Sequence, residues 1–281
     1  MADPFKIDGP TALGFSGGRT SGYMLWRAMQ ANPPEVLAEN LTACFANTGK
    51  EEEATLRFVR ECGERWGIPI AWVEYRDDES GYAVVEFASA SRNGEPFEAI
   101  MRRRKLLPNP VSRFCTIELK IRPMARYLRA KGFPGTMAEL ENSSWIGMRA
   151  DEPRRVAKLA DKSRAPLALG GVSAADVGAF WRAQPFDLGL PNMNGKTMHG
   201  NCDLCFLKPA AQVQSLIAEK PERAIWWARM EQDIPALGRT VGAGSVFRMD
   251  RPNYIRMAQI AADQRGIFDP NEEAIACFCG D

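Results

Sequence analysis

The sequence predicts an α/β fold built on a parallel sheet, followed by a mainly helical and irregular C-terminal part. Three observations predict it. Short apolar runs alternate with amphipathic stretches in a β-α-β-α-β series over residues 11–75, the pattern of a parallel sheet with right-handed crossovers. The first run ends in Ser16-Gly17-Gly18 and passes at once into a helical pattern. Beyond about residue 165 strand-like runs give way to helical patterns and loops rich in glycine and asparagine. A soft boundary there separates an α/β region, residues 1–165, from a C-terminal region, residues 166–281.

Taken in order, Thr11–Phe15 reads as the first strand, and Arg19–Met29 as a helix stopped by Pro33 and Pro34. Leu41–Ala46 reads as a second, buried strand. Asn47-Thr48-Gly49 is a turn, with Thr48 or Gly49 as cap for a helix starting near Lys50. Glu51, Glu52 and Glu53 suit the positive end of that helix, and its apolar stripe of Leu56, Val59, Cys62 and Trp66 ends at Gly67. Ile68–Tyr75 is the third strand. Gly81–Ala90 is apolar without a clear period. Pro96–Leu107 reads as a helix carrying the basic run Arg102 to Lys105, and a second basic helix spans Ile117 to Arg129. Ser144–Met148 reads as a strand and Lys162–Val172 as a loop. Ser173 caps a helix to Gln184, and Phe186–Gly200 is irregular. Helices follow over Lys208–Glu219 and Pro221–Gln232, the latter with proline at its first position. Ala261–Asp281 is an aperiodic tail.

The chain has 281 residues, 45% hydrophobic and 25% charged, with net charge +1. These are ordinary values for a globular protein. No apolar run approaches the roughly 20 residues of a membrane span, and no secretory pattern opens the chain, so a cytoplasmic protein is expected. Seven cysteines are then thiols, ligands or nucleophiles rather than disulfides. A single histidine, His199, excludes a site of several histidines.

Strand, glycine turn, helix aims free backbone N–H groups at an anion. Ser16, Thr20 and Ser21 add hydroxyls, and Arg19 adds charge, so Ser16–Ser21 reads as a phosphate loop; a bare glycine turn is the alternative. Cys202-Asp203-Leu204-Cys205 is the second signal. Two cysteines at this spacing converge on one metal ion or cluster edge; a redox dithiol or unrelated thiols are the other readings. Further ligands must come from Cys115, Cys277 or Cys279, with His199 able to replace one thiolate. Four thiolates suit an iron–sulfur cluster or zinc. Cys44 and Cys62 read as packing thiols.

The loop Ser16-Gly17-Gly18-Arg19-Thr20-Ser21 resembles the S-G-G-x-[DT]-S loop of the PP-loop ATP pyrophosphatases, which include the phosphoadenosine phosphosulfate (PAPS) reductase family. Phe45–Glu51 is similar to that family's second-strand segment, Cys115–Pro123 to its cysteine, lysine and proline segment, and Gly147–Arg155 to its G-x-R-x-x-E-x-x-R stretch. The likeness is greatest to phage- or prophage-type members.

The resemblance implies an adenine nucleotide α-hydrolase-like fold. It also implies an adenine nucleotide held by Ser16 to Ser21, Asn47, Thr48, Arg154 and Arg155, with Lys120, Arg149 and Cys279 catalytic. ATP with Mg²⁺, or PAPS or adenosine phosphosulfate (APS), is the expected nucleotide. The cluster is expected to be 4Fe-4S on Cys115, Cys202, Cys205 and Cys277, with zinc as the alternative. Asp151 and Glu152 are metal or ribose contacts, or partners of the neighbouring arginines.

The chain departs from the reductases in ending Cys279-Gly280-Asp281, in showing only Phe114-Cys115 where cluster-bearing members pair two cysteines, and in carrying Thr20 where ATP-cleaving members place aspartate. The expected activity is therefore ATP-dependent adenylation or sulfur transfer, with a sulfur-donor protein as partner. A sulfonucleotide reductase resolved by a thioredoxin-like protein is the alternative, and a non-catalytic nucleic-acid-binding protein a third reading. A homodimer is the expected assembly.

Overall fold

The computed structural model describes residues 3–193, 196–238, 242 and 244–265. Its centre is an open four-stranded, mostly parallel sheet. β1 (Thr11–Gly14), β2 (Leu41–Asn47), β3 (Ile70–Glu74) and β4 (Ala83–Val85) lie in that order. β1 and β2 are parallel, as are β2 and β3, while β4 returns antiparallel from Glu74↔Ala83. On the other side of β1, Trp145 bridges Leu13 in parallel: its N–H donates to the Ala12 carbonyl at 2.8 Å, and its carbonyl accepts from Gly14 N–H at 2.9 Å. The strand expected over Ser144–Met148 is thus reduced to one bridge, because the backbone turns away after Trp145.

Alternation along the strands sorts residues by size. Leu13, Ala43, Phe45 and Trp72 face one side, where they meet α1 (Arg19–Ala31) and α3 (Glu53–Trp66). Ala12, Cys44 and Ala71 face the other. Small side chains there let Met124, Ala125 and Leu128 of the helix Arg122–Ala130 approach the sheet closely. Helices therefore cover both faces, as a sheet buried on both sides requires.

Between α1 and β2 lies α2 (Pro34–Asn40), where sequence reading has the prolines only as a stop. Pro34 instead occupies the first helical turn, which tolerates a missing N–H. The helix after β2 begins at Glu53 rather than near Lys50, and no side chain caps it; it ends at Gly67 with φ 64°. After β4 comes α4 (Glu95–Arg104), then a continuous helical run: α5 (Phe114–Thr116), a π-helical turn (Ile117–Ile121) and α6 (Arg122–Ala130). Pro123 accounts for the wide turn, since its ring would clash with the carbonyl four residues back.

Short helices α7 (Met137–Leu140), α8 (Pro153–Val156) and α9 (Pro166–Leu169) precede α10 (Ala174–Ala183). Ser173 caps α10 in a reciprocal arrangement with Asp176. A two-stranded ribbon pairs β5 (Asn192–Met193) with β6 (Lys196–Thr197). The chain continues through α11 (Ala210–Glu219), α12 (Arg223–Gly238) and α13 (Tyr254–Arg265). Pro221 lies before α12 rather than at its first position, and α12 runs past Gln232 through Pro235.

Residues from both sides of the boundary expected near residue 165 share a core. Leu167, Val172, Val177 and Trp181 pack with Leu13, Phe45 and Phe58 of the sheet layer. A second core joins α4 and the π-turn region to the C-terminal helices, through Phe97, Ile100 and Leu119 packed with Leu204, Trp227 and Tyr254.

Candidate functional site

The Ser16–Ser21 loop leaves β1 and becomes the first turn of α1. Gly17 has φ 75°, and a Cβ there would lie 2.4 Å from Thr55 Cγ2, so both conformation and space demand glycine. Ser21 ties the loop closed: its Oγ accepts from Ser16 N–H at 3.1 Å and donates to the Gly18 carbonyl at 2.9 Å. The first intrahelical bond is Gly22 N–H to the Gly18 carbonyl, and Gly18 provides no side-chain cap. The N–H groups of Arg19, Thr20 and Ser21 thus lack intrahelical acceptors, and the first turn of α1 holds no acidic residue. Such an end attracts an anion.

Arg19 does not turn its guanidinium into this loop. It grips Asp187 through Nε and Nη2, at 2.7 and 2.5 Å, and Nη2 also donates to the Leu190 carbonyl at 2.9 Å. Its own carbonyl accepts from Trp181 Nε1 at 2.7 Å. Arg19 therefore anchors the start of α1 to the C-terminal part. Arg149 comes to the loop instead, from the segment that follows the Trp145 bridge. Its Nη1 is 3.3 Å from Thr20 Oγ1, and Gly147 lies so close that a Cβ would be 3.4 Å from Ser21 N. Asp151 and Glu152 hold Arg149, at 2.9 and 3.5 Å. Arg154 and Arg155 are exposed, and Arg155 pairs with Glu152.

The turn after β2 organises the thiols. Asn47 is fully buried, and its amide nitrogen donates to Glu74 at 2.7 Å and to the Ser91 carbonyl at 2.9 Å. Its role is to pin the turn. Thr48 Oγ1 contacts Glu51 at 2.8 Å and Cys202 Sγ at 3.5 Å. Cys202 bridges Glu51 through the backbone, and Asp203 N–H donates to the Lys50 carbonyl at 2.7 Å. Beneath, Lys50 Nζ and Asp203 form a buried ion pair at 2.9 Å, and Trp227 Nε1 donates to the same carboxylate at 2.8 Å. Lys208 Nζ donates to the carbonyls of Cys202 and Asp203, both at 2.7 Å.

Lys120, on the π-turn, faces this group, 4.0 Å from Glu51. Burial works against its charge, but Cys202, Glu51, Cys205 and Cys115 outweigh it and raise its pKa. Burial pushes the Cys115 thiol up to about 11, with Cys205 adding and Lys120 opposing. Burial and then Glu51 push Cys202 up as well. The three thiols thus share one lysine and sense one another. Among the described residues, however, no three or more His, Cys, Asp or Glu side chains are drawn together tightly enough to hold a metal ion. The donor set is chemically right for a thiolate-bound cluster or zinc, but the thiols must close up to bind one. Cys277 and Cys279 lie outside the described residues. His199 Nε2 is held by Glu219 at 2.7 Å, which leaves its buried Nδ1 without a partner among the described residues.

Sequence reading thus names the loop, Lys120, Arg149 and three thiols that the fold gathers on one edge of the sheet. It misses Glu51 as the partner of Lys120, Asp187 as that of Arg19, and the Lys50–Asp203 pair. None of these partners carries a local signal, since Arg19 and Asp187 are 168 residues apart. Burial of Cys44 and Cys62 agrees with their reading as packing thiols. No helix of the described residues is long and apolar enough to cross a membrane.

No family model and no solved structure matches the chain. The nin region protein ORF290 of Escherichia phage lambda, described as uncharacterized, is 31% identical over 208 residues, which cover 72% of this chain and 67% of that protein. At that likeness over that length, the chain belongs to the family of the lambda nin region protein ORF290.

Proposed function

We propose that this chain is an adenine-nucleotide-binding PP-loop enzyme of the PAPS reductase kind, acting by ATP-dependent adenylation or sulfur transfer beside a cysteine-held iron–sulfur cluster. One observation carries the reading. The Ser16–Ser21 loop and the Thr48 turn leave neighbouring parallel strands at the same edge, and Cys202 contacts that turn. β1 also lies between β2 and the Trp145 bridge. In open α/β sheets, ligands bind outside the carboxyl ends of strands where the order reverses. The adenine nucleotide α-hydrolase-like form of the fold belongs to this same reading.

In this proposal the N–H groups opening α1 take the phosphate oxygens, and Arg149 supplies the nearest guanidinium. An acceptor oxygen attacks the α-phosphorus in line and pyrophosphate leaves. Charge gathering on the phosphorus oxygens is met by preorganised donors. Lys120 lies 4.0 Å from Glu51 and is charge-coupled to the thiols, where it holds a proton and a positive charge toward sulfur. Cys115, Cys202, Cys205 and Cys277 would hold the cluster, or zinc, and a cluster there supplies electron or sulfur chemistry. Asp151 and Glu152 are engaged by Arg149 and Arg155.

The test is turnover by anaerobically purified protein, with iron and sulfide assayed in the same sample. Pyrophosphate release from ATP, lost in Lys120→Ala, is the expected result. Sulfite release from PAPS or APS with thioredoxin would replace this reading with the reductase one, in which Cys279 attacks sulfur. Failure to bind any adenine nucleotide would end both.

A further inference from the structure

Beyond β3, the same edge of the sheet carries a second polar pocket of about 280 Å³ that the nucleotide reading leaves unused. Arg103 and Arg104, from the last turn of α4, meet Arg122 and Arg126 of α6 around it, together with Tyr75 and Glu118. Arg122 and Arg126 are four apart and so share one helix face. The two basic runs, unconnected in sequence, become a single cluster.

Carboxylates do not saturate it. Glu118 accepts from both Arg104 and Arg122, Asp77 takes Arg103 at 2.9 Å, and Glu141 lies 3.6 Å from Arg122. Arg126 has no carboxylate within 4.0 Å among the described residues, and its Nη1 makes only a 3.5 Å contact to the Ser80 carbonyl. Space is nevertheless kept for it. Gly81 has φ 67°, and a Cβ there would fall 1.2 Å from Arg126 Nη1. The four guanidiniums thus exceed the carboxylates that touch them, and the least satisfied one sits in a cradle that only glycine leaves open.

We propose that this pocket seats a backbone phosphate of a single-stranded nucleic acid. A guanidinium cluster fits phosphate oxygens by paired donors. Two features favour a strand over a small free anion. The rings of Tyr82 and Tyr127, each one residue from the Gly81–Arg126 contact, are half-buried and lie 6.2 Å apart edge to face, an arrangement on which a base can stack. Exposed cations also stand at the two ends of the same helical run, where Arg113 and Lys131 make no ion pair among the described residues. This site stands or falls apart from nucleotide binding at the Ser16–Ser21 loop.

The test is fluorescence anisotropy with a labelled oligothymidylate of about 20 nucleotides, long enough to cover a site of this kind. Arg126→Gln is expected to weaken binding about fivefold, and Arg103→Gln with Arg126→Gln more than tenfold, with the salt slope reduced by about one unit. Arg126→Lys is expected to recover part of the loss, while the thermal midpoint and ATP binding of all three variants stay at the parent values. Unchanged oligonucleotide affinity and slope in the double variant would overturn the proposal. So would thymidine monophosphate or inorganic phosphate binding as tightly as the oligonucleotide, which would make the pocket a small-anion site.

Discussion

Gly17 and Gly18 are adjacent in sequence, yet the fold asks different things of them. Gly17 cannot accept a side chain, because of its positive φ and the Thr55 methyl 2.4 Å from where its Cβ would be. Gly18 has φ −107°, and a Cβ there would find only Ser16 Oγ, at 3.6 Å. Gly17→Ala is therefore expected to cost about 2–4 kcal/mol in urea unfolding, from backbone strain plus overlap. Gly18→Ala is expected to leave stability within about 1 kcal/mol while weakening ATP binding, because in the proposed reading its methyl meets the incoming phosphate. A Gly18→Ala protein that binds ATP as the parent does would argue that the loop is a structural turn. Arg19 shows the limit of reading residues singly. Its charge beside a glycine loop suggests a phosphate ligand, but Asp187 claims the guanidinium.

At the scale of elements, the helical run from Phe114 to Ala130 does two tasks with one irregularity. The wide turn before Pro123 places Lys120 toward the thiols, and π-turns often mark such sites. Glu118, on the same turn, faces the other way and ties α4 to α6 through Arg104 and Arg122. Burial works against its charge, but the two arginines outweigh it and hold the carboxyl below its usual value of 4.5. A carboxylate with a depressed folded pKa stabilises fully above its unfolded pKa, and that contribution is lost as pH falls through the folded value. Glu118→Gln is thus expected to cost about 1–3 kcal/mol at neutral pH. The gap from the parent should narrow below about pH 4.5; a gap independent of pH between 3 and 7, read by urea unfolding at each pH, would show that the charge is not what matters. The basic helix legible from sequence was thus right as an element, while its break into α5, π-turn and α6 depends on how Pro123 is accommodated.

Across the whole molecule, the thiol-bearing loop is held to the sheet by a buried network. Asp203 accepts from Lys50 and Trp227, while Lys50 lies 4.9 Å from the Trp226 ring. Removing the carboxylate leaves a buried ammonium and an indole N–H without their acceptor. Asp203→Ala is expected to lose about 3–5 kcal/mol and to shift the near-ultraviolet signal of the tryptophans. Asp203→Asn, which keeps an acceptor for Trp227, is expected to lose less. Equal losses in both variants would locate the effect in the charge alone. Alongside this network, the second core packs α4 and Leu119 against the C-terminal helices.

By itself the sequence determined, α2 apart, the alternation of strand and helix from Thr11 to Glu74, the glycine corner before α1, the Gly67 stop and the Ser173 cap. Each follows from residues within one or two turns of each other, where side-chain period, φ preference and capping act directly. It also singled out Cys115, Cys202 and Cys205 as candidate ligands, from residue type and spacing. Only the tertiary structure decided that Arg19 belongs to Asp187, that Lys120 faces Glu51 and the three thiols, and that two distant arginine runs line one pocket. Ion pairs and shared pockets depend on distance in space, and a chain folded back across a sheet makes that distance independent of separation in sequence.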